Sequence, residues 1–213
     1  MKYAAIVGNG LFDDTFTEFV READTVICAD GGANHLVERG ILPDYIIGDM
    51  DSIDPVVLKK IEKILGEDRM ISYPTDKDYT DMELAIEFAI GEGYENIKLI
   101  GATGERLDHT ICNITSGFKY ENANIEIIDK HNIISVIGAE TRRFQNKKGE
   151  NISVIPLSKE FVFTVTGMKF PAENLCTGIG NARGIDNIIM SDNASISVKK
   201  GYGLIMFSED RSA

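Results

Sequence analysis

Residues 43–52, PDYIIGDMDS, combine a short strand of the buried type with carboxylates at its end. The apolar run 45–47 is typical of a strand in a parallel sheet, and Gly48 marks where it stops. Asp49 and Asp51 follow with one residue between them, so in extended backbone both side chains would project to the same side. Carboxylates at the end of such a strand suit Mg²⁺ that carries substrate phosphates. An ordinary aspartate-rich turn is the alternative interpretation.

Strand and helix patterns alternate around this stretch over roughly the first 130 residues. Most apolar strand patterns end at glycine or aspartate, and each helical pattern repeats apolar residues every three or four positions. This alternation predicts a parallel sheet with helices on both faces. The other predicted strands are 4–7, 25–29, 70–73, 97–100 and 125–129. Two helices are predicted at 12–21 and 33–39, and a third begins at Pro55 and ends at Gly66. A fourth helix carries the apolar stripe 82–90, and a fifth has Ile111, Ile114 and Phe118 on a single face.

Helical periodicity disappears after the strand 125–129, and short β-rich runs separated by turn signals take its place. The sequence therefore predicts an α/β fold in which an N-terminal parallel-sheet, Rossmann-like domain, 1–130, precedes a smaller all-β sandwich domain, 131–213. The predicted strands of the second domain are 133–137, 151–155, 161–166, 188–190, 195–198 and 204–207.

Composition limits the partners of this 213-residue chain. A net charge of −12 disfavours sequence-independent binding to nucleic acid or to an anionic membrane. There is no apolar run of membrane-spanning length and no signal-peptide profile, so a cytoplasmic location is expected. The cysteines Cys28, Cys112 and Cys176 are odd in number and far apart, which favours reduced thiols in the core over disulfides or a zinc site.

Further polar loops follow other predicted strands of the first domain. Asp30 and Gly31 come after the second strand, where a carboxylate and glycines would let a ligand approach the backbone closely; a tight turn is the alternative. Another loop carries the acidic residues 76, 78 and 81 together with Lys77 and Thr80. Asp81 in that loop stands either at a helix cap or at a metal site.

Arg106 and Asp108 lie in the loop GATGERLDH, 101–109, after the fifth strand. They could bind a phosphate and orient a second group, or form an ordinary surface ion pair. Because the carboxyl ends of parallel strands meet at one edge of a sheet, we expect all these loops to share a ligand site. The chain lacks the phosphate-binding sequence GxxxxGK[ST], protein-kinase loops and a complete dinucleotide fingerprint, so a nucleotide must be held in another way.

Taken together, these stretches closely resemble the signatures of the thiamine pyrophosphokinase (thiamine diphosphokinase) family. The resemblance covers nearly the whole chain. Its parts are ADGGANHL at 29–36, PDYIIGDMDS at 43–52, YPTDKDYTD at 73–81, GATGERLDH at 101–109, TGMKFPAENL at 166–175 and GIGNARG at 178–184.

The resemblance implies ATP-dependent transfer of pyrophosphate to the hydroxyl of thiamine, giving thiamine diphosphate and AMP. It also implies a homodimer whose sites combine the α/β domain of one subunit with the sandwich of the other. The resemblance implies that Asp49, Asp51 and Asp81 bind Mg²⁺ and that Phe170, Gly180 and Asn181 bind thiamine. It implies ATP binding by Asp30, Gly31, Lys77, Thr80, Arg106 and Asp108. The implied catalytic residues are the three metal-binding aspartates together with Arg106 and Asp108.

Gly180 is a departure, because the family commonly has serine before the asparagine at 181. The missing hydroxyl removes a potential hydrogen bond to the thiamine pyrimidine and leaves the preference among thiamine analogues open. The proton acceptor also stays open between Asp108 and the metal-side aspartates. Two other functions are compatible with the residues alone, namely another Mg²⁺-dependent phosphotransferase or nucleotide hydrolase, and a non-catalytic nucleotide or thiamine sensor.

Overall fold

The computed structural model describes residues 2–120 and 122–209. The chain forms two compact units, and the division between them falls between Lys130 and His131. The mixed α/β class is confirmed, with a large sheet and a second, antiparallel sheet. Among the described residues no helix combines the length and the apolar character that crossing a membrane requires.

The first unit contains a parallel sheet flanked by helices. Its strands are β1 (Ala4–Val7), β2 (Thr25–Ala29), β3 (Tyr45–Gly48), β4 (Met70–Ser72), β5 (Asn96–Ile100) and β6 (Asn124–Ile128), and its helices are α1 (Thr17–Arg21), α2 (Gly32–Glu38), α3 (Pro55–Leu65), α4 (Asp81–Gly91) and α5 (Leu107–Thr115). The strand order is β6-β5-β1-β2-β3-β4, and each neighbouring pair is parallel. The central strand β1 is buried along its whole length, as expected for a sheet covered on both faces.

This strand order places a ligand crevice beside β1. From β1 the chain proceeds outward through β2, β3 and β4, and then returns to pair β5 on the other side of β1. The connections after β1 and β5 therefore leave the sheet in opposite directions and open a gap at their carboxyl ends.

Two helix predictions for the first unit were wrong in extent. The predicted helix 12–21 is a short 3₁₀ turn, Asp14–Phe16, followed by α1, because the Asp13 carboxylate caps the turn by accepting from the Thr15 N–H. The helix predicted to carry Ile111, Ile114 and Phe118 on one face is shorter, since α5 ends at Thr115 and Phe118 falls in a separate 3₁₀ turn, Ser116–Phe118. Hydroxyl groups at its end donate to backbone carbonyls and compete with continuation of the helix.

The second unit contains two antiparallel arrays of strands. The strands are β7 (Asn132–Ile137), β8 (Thr141–Phe144), β9 (Asn151–Pro156), β10 (Phe161–Thr166), β11 (Ala172–Thr177), β12 (Asn187–Ile188), β13 (Ala194–Lys200) and β14 (Gly203–Ser208). One array has the order β12-β9-β14-β7 and the other β11-β10-β13-β8. Buried side chains of both arrays, including Ile152, Phe163, Ile196 and Ile205, form one hydrophobic core.

The strands β8 and β11 were not predicted. Their sequences, TRRF and AENLCT, lack apolar alternation, and most of their residues are at least partly exposed. The prediction that all three cysteines are core thiols was also wrong, because Cys28 is buried whereas Cys112 and Cys176 are exposed. Burial raises the pKa of the Cys28 thiol far above its ordinary value.

Candidate functional site

The ends of β2 and β3 bring three carboxylates together. Asp30, Asp49 and Asp51 each offer an oxygen, and these oxygens all lie within 4.8 Å of one another. The expected extended geometry was wrong, because Met50 has φ +65° and turns the chain between the two aspartates of the β3 loop. This turn also lets the Asp51 N–H donate to the Asp49 carboxylate at 3.3 Å.

Asp81 and Lys77 complete this acidic cluster. The ammonium of Lys77 lies 3.0 Å from Asp81 Oδ1 and 3.7 Å from Asp49 Oδ2. Burial by itself lowers the pKa of Lys77, but the hydrogen bond to Asp81 and the charges of the nearby carboxylates outweigh it and raise that pKa. The cluster therefore contains an internal cation.

Gly48 leaves the space in which these side chains meet. Its φ is +149°, and a Cβ at this position would lie 3.0 Å from both Asp30 Cβ and Asp81 Oδ1. A side chain here would have to displace one of the two carboxylates. Glycine is therefore required for the close approach at the end of β3.

Asp30 is the most enclosed carboxylate of the cluster. It is 7% exposed, and its Oδ1 atom is buried without a hydrogen-bond partner among the described residues. Burial raises its pKa, and the charges of Asp81 and Asp49 add to this effect. An unpaired buried oxygen facing other carboxylates is the arrangement expected of a cation ligand.

Asp49 differs from Asp30 in its environment. The pKa of Asp49 is lowered, first by the hydrogen bond from the Asp51 N–H and then by Thr75 and Lys77. These interactions outweigh the opposing effect of burial. Asp49 is therefore an ionised oxygen donor at neutral pH.

A cavity of about 600 Å³ lies at the carboxyl ends of β1 and β5 and is continuous with the acidic cluster. Backbone N–H groups of Gly10 and Leu11 donate to carbonyls of Gly101 and Thr103, each at 2.8 Å, and hold the two walls together. The cavity is lined by Gly8–Leu11, Ala29, Asp30, Ser52, Thr80–Met82, Gly101–Arg106, His109, Thr110 and Asn113.

Thr80 lines this cavity and also begins α4. Its hydroxyl accepts from the Glu83 N–H while the Glu83 carboxylate accepts from the Thr80 N–H, which is a complete capping box. Capping was the alternative prediction for Asp81 and is wrong, since Asp81 is the first residue of the helix and its side chain points to Lys77. Asp76 and Asp78 of the same loop are exposed.

Arg106 and Asp108 form a two-pronged ion pair at the start of α5. The guanidinium donates to the carboxylate at 2.7 and 3.0 Å, and the two side chains are 72% and 63% exposed. This hydrogen bonding raises the pKa of Arg106 and holds the pKa of Asp108 well below its usual range. Arg106 lines the cavity, so its fork is available to an anion that competes with Asp108.

Gly31 lies where the β2 loop meets the cavity wall. A Cβ at this position would lie 2.5 Å from Asn9 Cγ, so glycine lets the end of β1 pack directly against the start of α2. Asn34 and Ser52 were not predicted as site residues. Their only signal was their position beside the quoted glycine and aspartate motifs.

The second unit has its own cavity of about 200 Å³, with Phe170 on its lining. The backbone of Phe170 is held by Asn187, whose amide accepts from its N–H at 2.9 Å and donates to its carbonyl at 2.8 Å. Gly180 and Asn181 are exposed and do not line this cavity. The Asn181 Oδ1 accepts from the Arg183 N–H at 3.0 Å.

Two family models match the chain in succession. Residues 16–128 match "Thiamin pyrophosphokinase, catalytic domain", and residues 140–202 match "Thiamin pyrophosphokinase, vitamin B1 binding domain". The chain belongs to the thiamine pyrophosphokinase family. The thiamine pyrophosphokinase of Bacillus subtilis is 33% identical over 99% of this chain and 100% of its own length.

Solved structures of the thiamine pyrophosphokinase family have the same fold. The crystal structure of the Bacillus subtilis protein superposes with a TM-score of 0.86 at 31% identity, covering 99% of this chain and 100% of its own. The Geobacillus thermodenitrificans protein gives a TM-score of 0.85 at 31% identity, covering 99% of both chains.

Proposed function

We propose that this chain transfers a pyrophosphoryl group from ATP to the hydroxyl of thiamine and so acts as a thiamine diphosphokinase. The observation that carries the proposal is the match to both family models, with the acidic cluster and most of the cavity lining inside the catalytic match. In this reaction the thiamine hydroxyl oxygen bonds to the β-phosphorus of ATP, and the bond from that phosphorus to the AMP oxygen breaks. The hydroxyl proton is released, and the products are thiamine diphosphate and AMP.

The acidic cluster fits Mg²⁺. It offers hard oxygen donors, of which those of Asp30, Asp49 and Asp51 lie within 4.8 Å of one another, and the buried Oδ1 of Asp30 has no other partner in the described chain. We assign metal binding to Asp49, Asp51 and Asp81, the set that the family resemblance implies, and add Asp30, whose unpartnered oxygen faces Asp49 and Asp51. When bound, Mg²⁺ neutralises charge on the ATP phosphates and favours their attack by the hydroxyl.

The remaining residues act by holding ATP in position. Arg106 exchanges part of its bond to Asp108 for phosphate oxygens and stabilises the charge that develops during transfer. Lys77 adds a second positive charge from within the acidic cluster. The hydroxyl proton passes to Asp108, once that carboxylate is released, or to a metal-side aspartate. Thr80 and Gly31 shape the nucleotide cavity, and the Asp30 carboxylate forms part of its lining.

We assign thiamine to the second unit through Phe170, Gly180 and Asn181. The aromatic ring offers a face on which a heterocycle can stack, and Asn181 offers amide hydrogen bonds. For the domain organisation, we propose that residues 1–130 form a Rossmann-like catalytic domain and that residues 131–213 form a thiamine-binding β-sandwich. The strand order of the first unit and the shared core of the two antiparallel arrays support these assignments.

We also propose that the active form is a cytoplasmic homodimer in which the thiamine residues of one subunit serve the site of the other. The family resemblance supports this assignment. Sedimentation should give twice the mass of one chain at assay concentrations. A fully active monomer would refute the shared site.

The direct test of the reaction is incubation with ATP, Mg²⁺ and thiamine, followed by mass detection of products. We expect AMP and thiamine diphosphate in equal amounts, and neither product when thiamine is omitted. AMP or ADP released without thiamine would indicate a nucleotide hydrolase instead. Bound ligand with no product would indicate a sensor.

A further inference from the structure

We propose that Asn34 is a positioning residue, which holds the loop carrying Asp49 and Asp51 at a set distance from Asp30. The proposal rests on the metal site of the proposed function. Asn34 lies on α2, which begins two residues after Asp30, and its amide bridges to the loop that follows β3. Asn34 lies within the stretch ADGGANHL, 29–36, but the family resemblance implied no role for it.

Both halves of the Asn34 amide are used in this bridge. The Nδ2 group donates to the Ser52 carbonyl at 3.0 Å, and the Oδ1 atom accepts from the Asp54 N–H at 2.9 Å. These two partners are separated by only one residue, so the amide fixes the direction of the backbone as well as its position. Alanine offers neither a donor nor an acceptor to replace it.

The loop needs such a bridge for two physical reasons. The residue between its two aspartates, Met50, has φ +65°, a conformation that non-glycine residues adopt only when their surroundings impose it. In addition, the loop carries two carboxylates that face the buried carboxylate of Asp30. Like charges at this separation repel each other, and the loop would move outward if it were held only at its ends.

Local contacts fix the geometry of this segment itself, and the bridge links it to α2. The Ser52 hydroxyl donates to Asp51 Oδ1 at 2.9 Å. The Asp54 carboxylate caps α3 by accepting from the N–H groups of Val56 and Val57, at 2.7 and 3.3 Å. Asn34 therefore joins the loop that bears Asp49 and Asp51 to the segment that bears Asp30.

The test is Asn34→Ala in the full-length protein, assayed against Mg²⁺ concentration at saturating ATP and thiamine. Removing a group that orients metal ligands typically weakens metal binding about 10- to 100-fold, so we expect the Mg²⁺ activation constant to rise by that factor. The rate should recover towards the wild-type value at high Mg²⁺, and the thiamine KM should stay within about threefold. Alanine is a better helix former than asparagine, so α2 is retained, and Asn34→Ser provides a second variant that also lacks the bridge.

The matched control is Asn96→Ala. The Asn96 amide is also bonded through both halves, to the Lys2 carbonyl and to Asn124, but at the amino end of β5, away from the acidic cluster. This variant should keep the wild-type Mg²⁺ activation constant. Direct Mn²⁺ titration of each protein in the presence of a non-hydrolysable ATP analogue, followed by electron paramagnetic resonance, gives a measure independent of activity.

Two results would overturn the proposal. One is an Asn34→Ala protein with lower thermal stability but the wild-type Mg²⁺ constant and Mn²⁺ affinity, which would make the bridge purely structural. The other is a lower rate that high Mg²⁺ does not restore. Failure of the proposed function looks different, because the wild-type protein itself would then form no thiamine diphosphate.

Discussion

Replacing Lys77 with methionine should destabilise the metal-free protein and make Mg²⁺ a stronger stabiliser. Methionine keeps a side chain of similar length but removes the internal cation of the acidic cluster. The carboxylates of Asp49 and Asp81, 3.7 and 3.0 Å from the ammonium, then lose their countercharge and repel each other and Asp30.

The magnitude follows from the degree of burial. An exposed ion pair contributes about 0.2–1 kcal/mol, whereas removing one partner of a buried pair costs about 3–5 kcal/mol. Lys77 and Asp49 are 13% exposed and Asp81 is 27% exposed, which places this cluster between the two limits. We therefore expect a loss on the order of 2 kcal/mol, or a fall in Tm of roughly 4–8 °C for a chain of this size.

The assay is thermal unfolding with and without Mg²⁺ near pH 7.5. The pKa of Lys77 is raised in the folded protein, so its contribution is fully present below the unfolded value of about 10.4 and is lost as pH rises through the folded value. Because the ammonium no longer competes for the carboxylates, Mg²⁺ should raise the Tm of Lys77→Met more than that of the wild type.

Lys200→Met is the matched control for this experiment. Lys200 pairs with Glu160 at 2.7 Å, but the two side chains are 62% and 51% exposed and lie in the second unit. Its Tm should change by less than about 4 °C, and Mg²⁺ should act on it as on the wild type. Equal stability of Lys77→Met and wild type without metal, or equal Mg²⁺ increments for both, would refute the reasoning.

Three further substitutions test the proposed roles. Asp51→Asn removes a charged ligand at nearly constant volume, so we expect turnover to fall by at least about 100-fold with an unchanged circular dichroism spectrum; near wild-type turnover would exclude Asp51 as a ligand. Arg106→Ala should lower kcat by more than it raises either KM, because its charge acts most strongly on the transferring group, and a pure KM effect in steady-state kinetics would contradict this. Asn181→Ala should raise the thiamine KM about tenfold and leave the ATP KM within a few-fold; a selective ATP defect would argue against a thiamine role.

Local patterns along the chain were sufficient to predict most of the first unit. The apolar run of β3 and its terminal Gly48 predicted a buried parallel strand, and Pro55 and Gly66 marked the ends of α3. These signals are local because the apolar pattern of a strand and the residues that begin and end a helix lie within the element itself. The strands β8 and β11 were missed because pairing with β13 and β10, and not their own apolar pattern, makes them strands.

The sequence by itself determined the fold class, the family resemblance and the strand ends at which acidic residues would gather. The capping box of Thr80 and Glu83 is a local pattern that the sequence already contains. Only the tertiary structure decided that Lys77 lies among the carboxylates and that Asn34 bridges to the loop after β3. Each of these facts depends on the direction of a side chain across two or more elements. Spacing along one segment carries no information about such a direction, because the neighbouring element that supplies the partner is brought there by the sheet order.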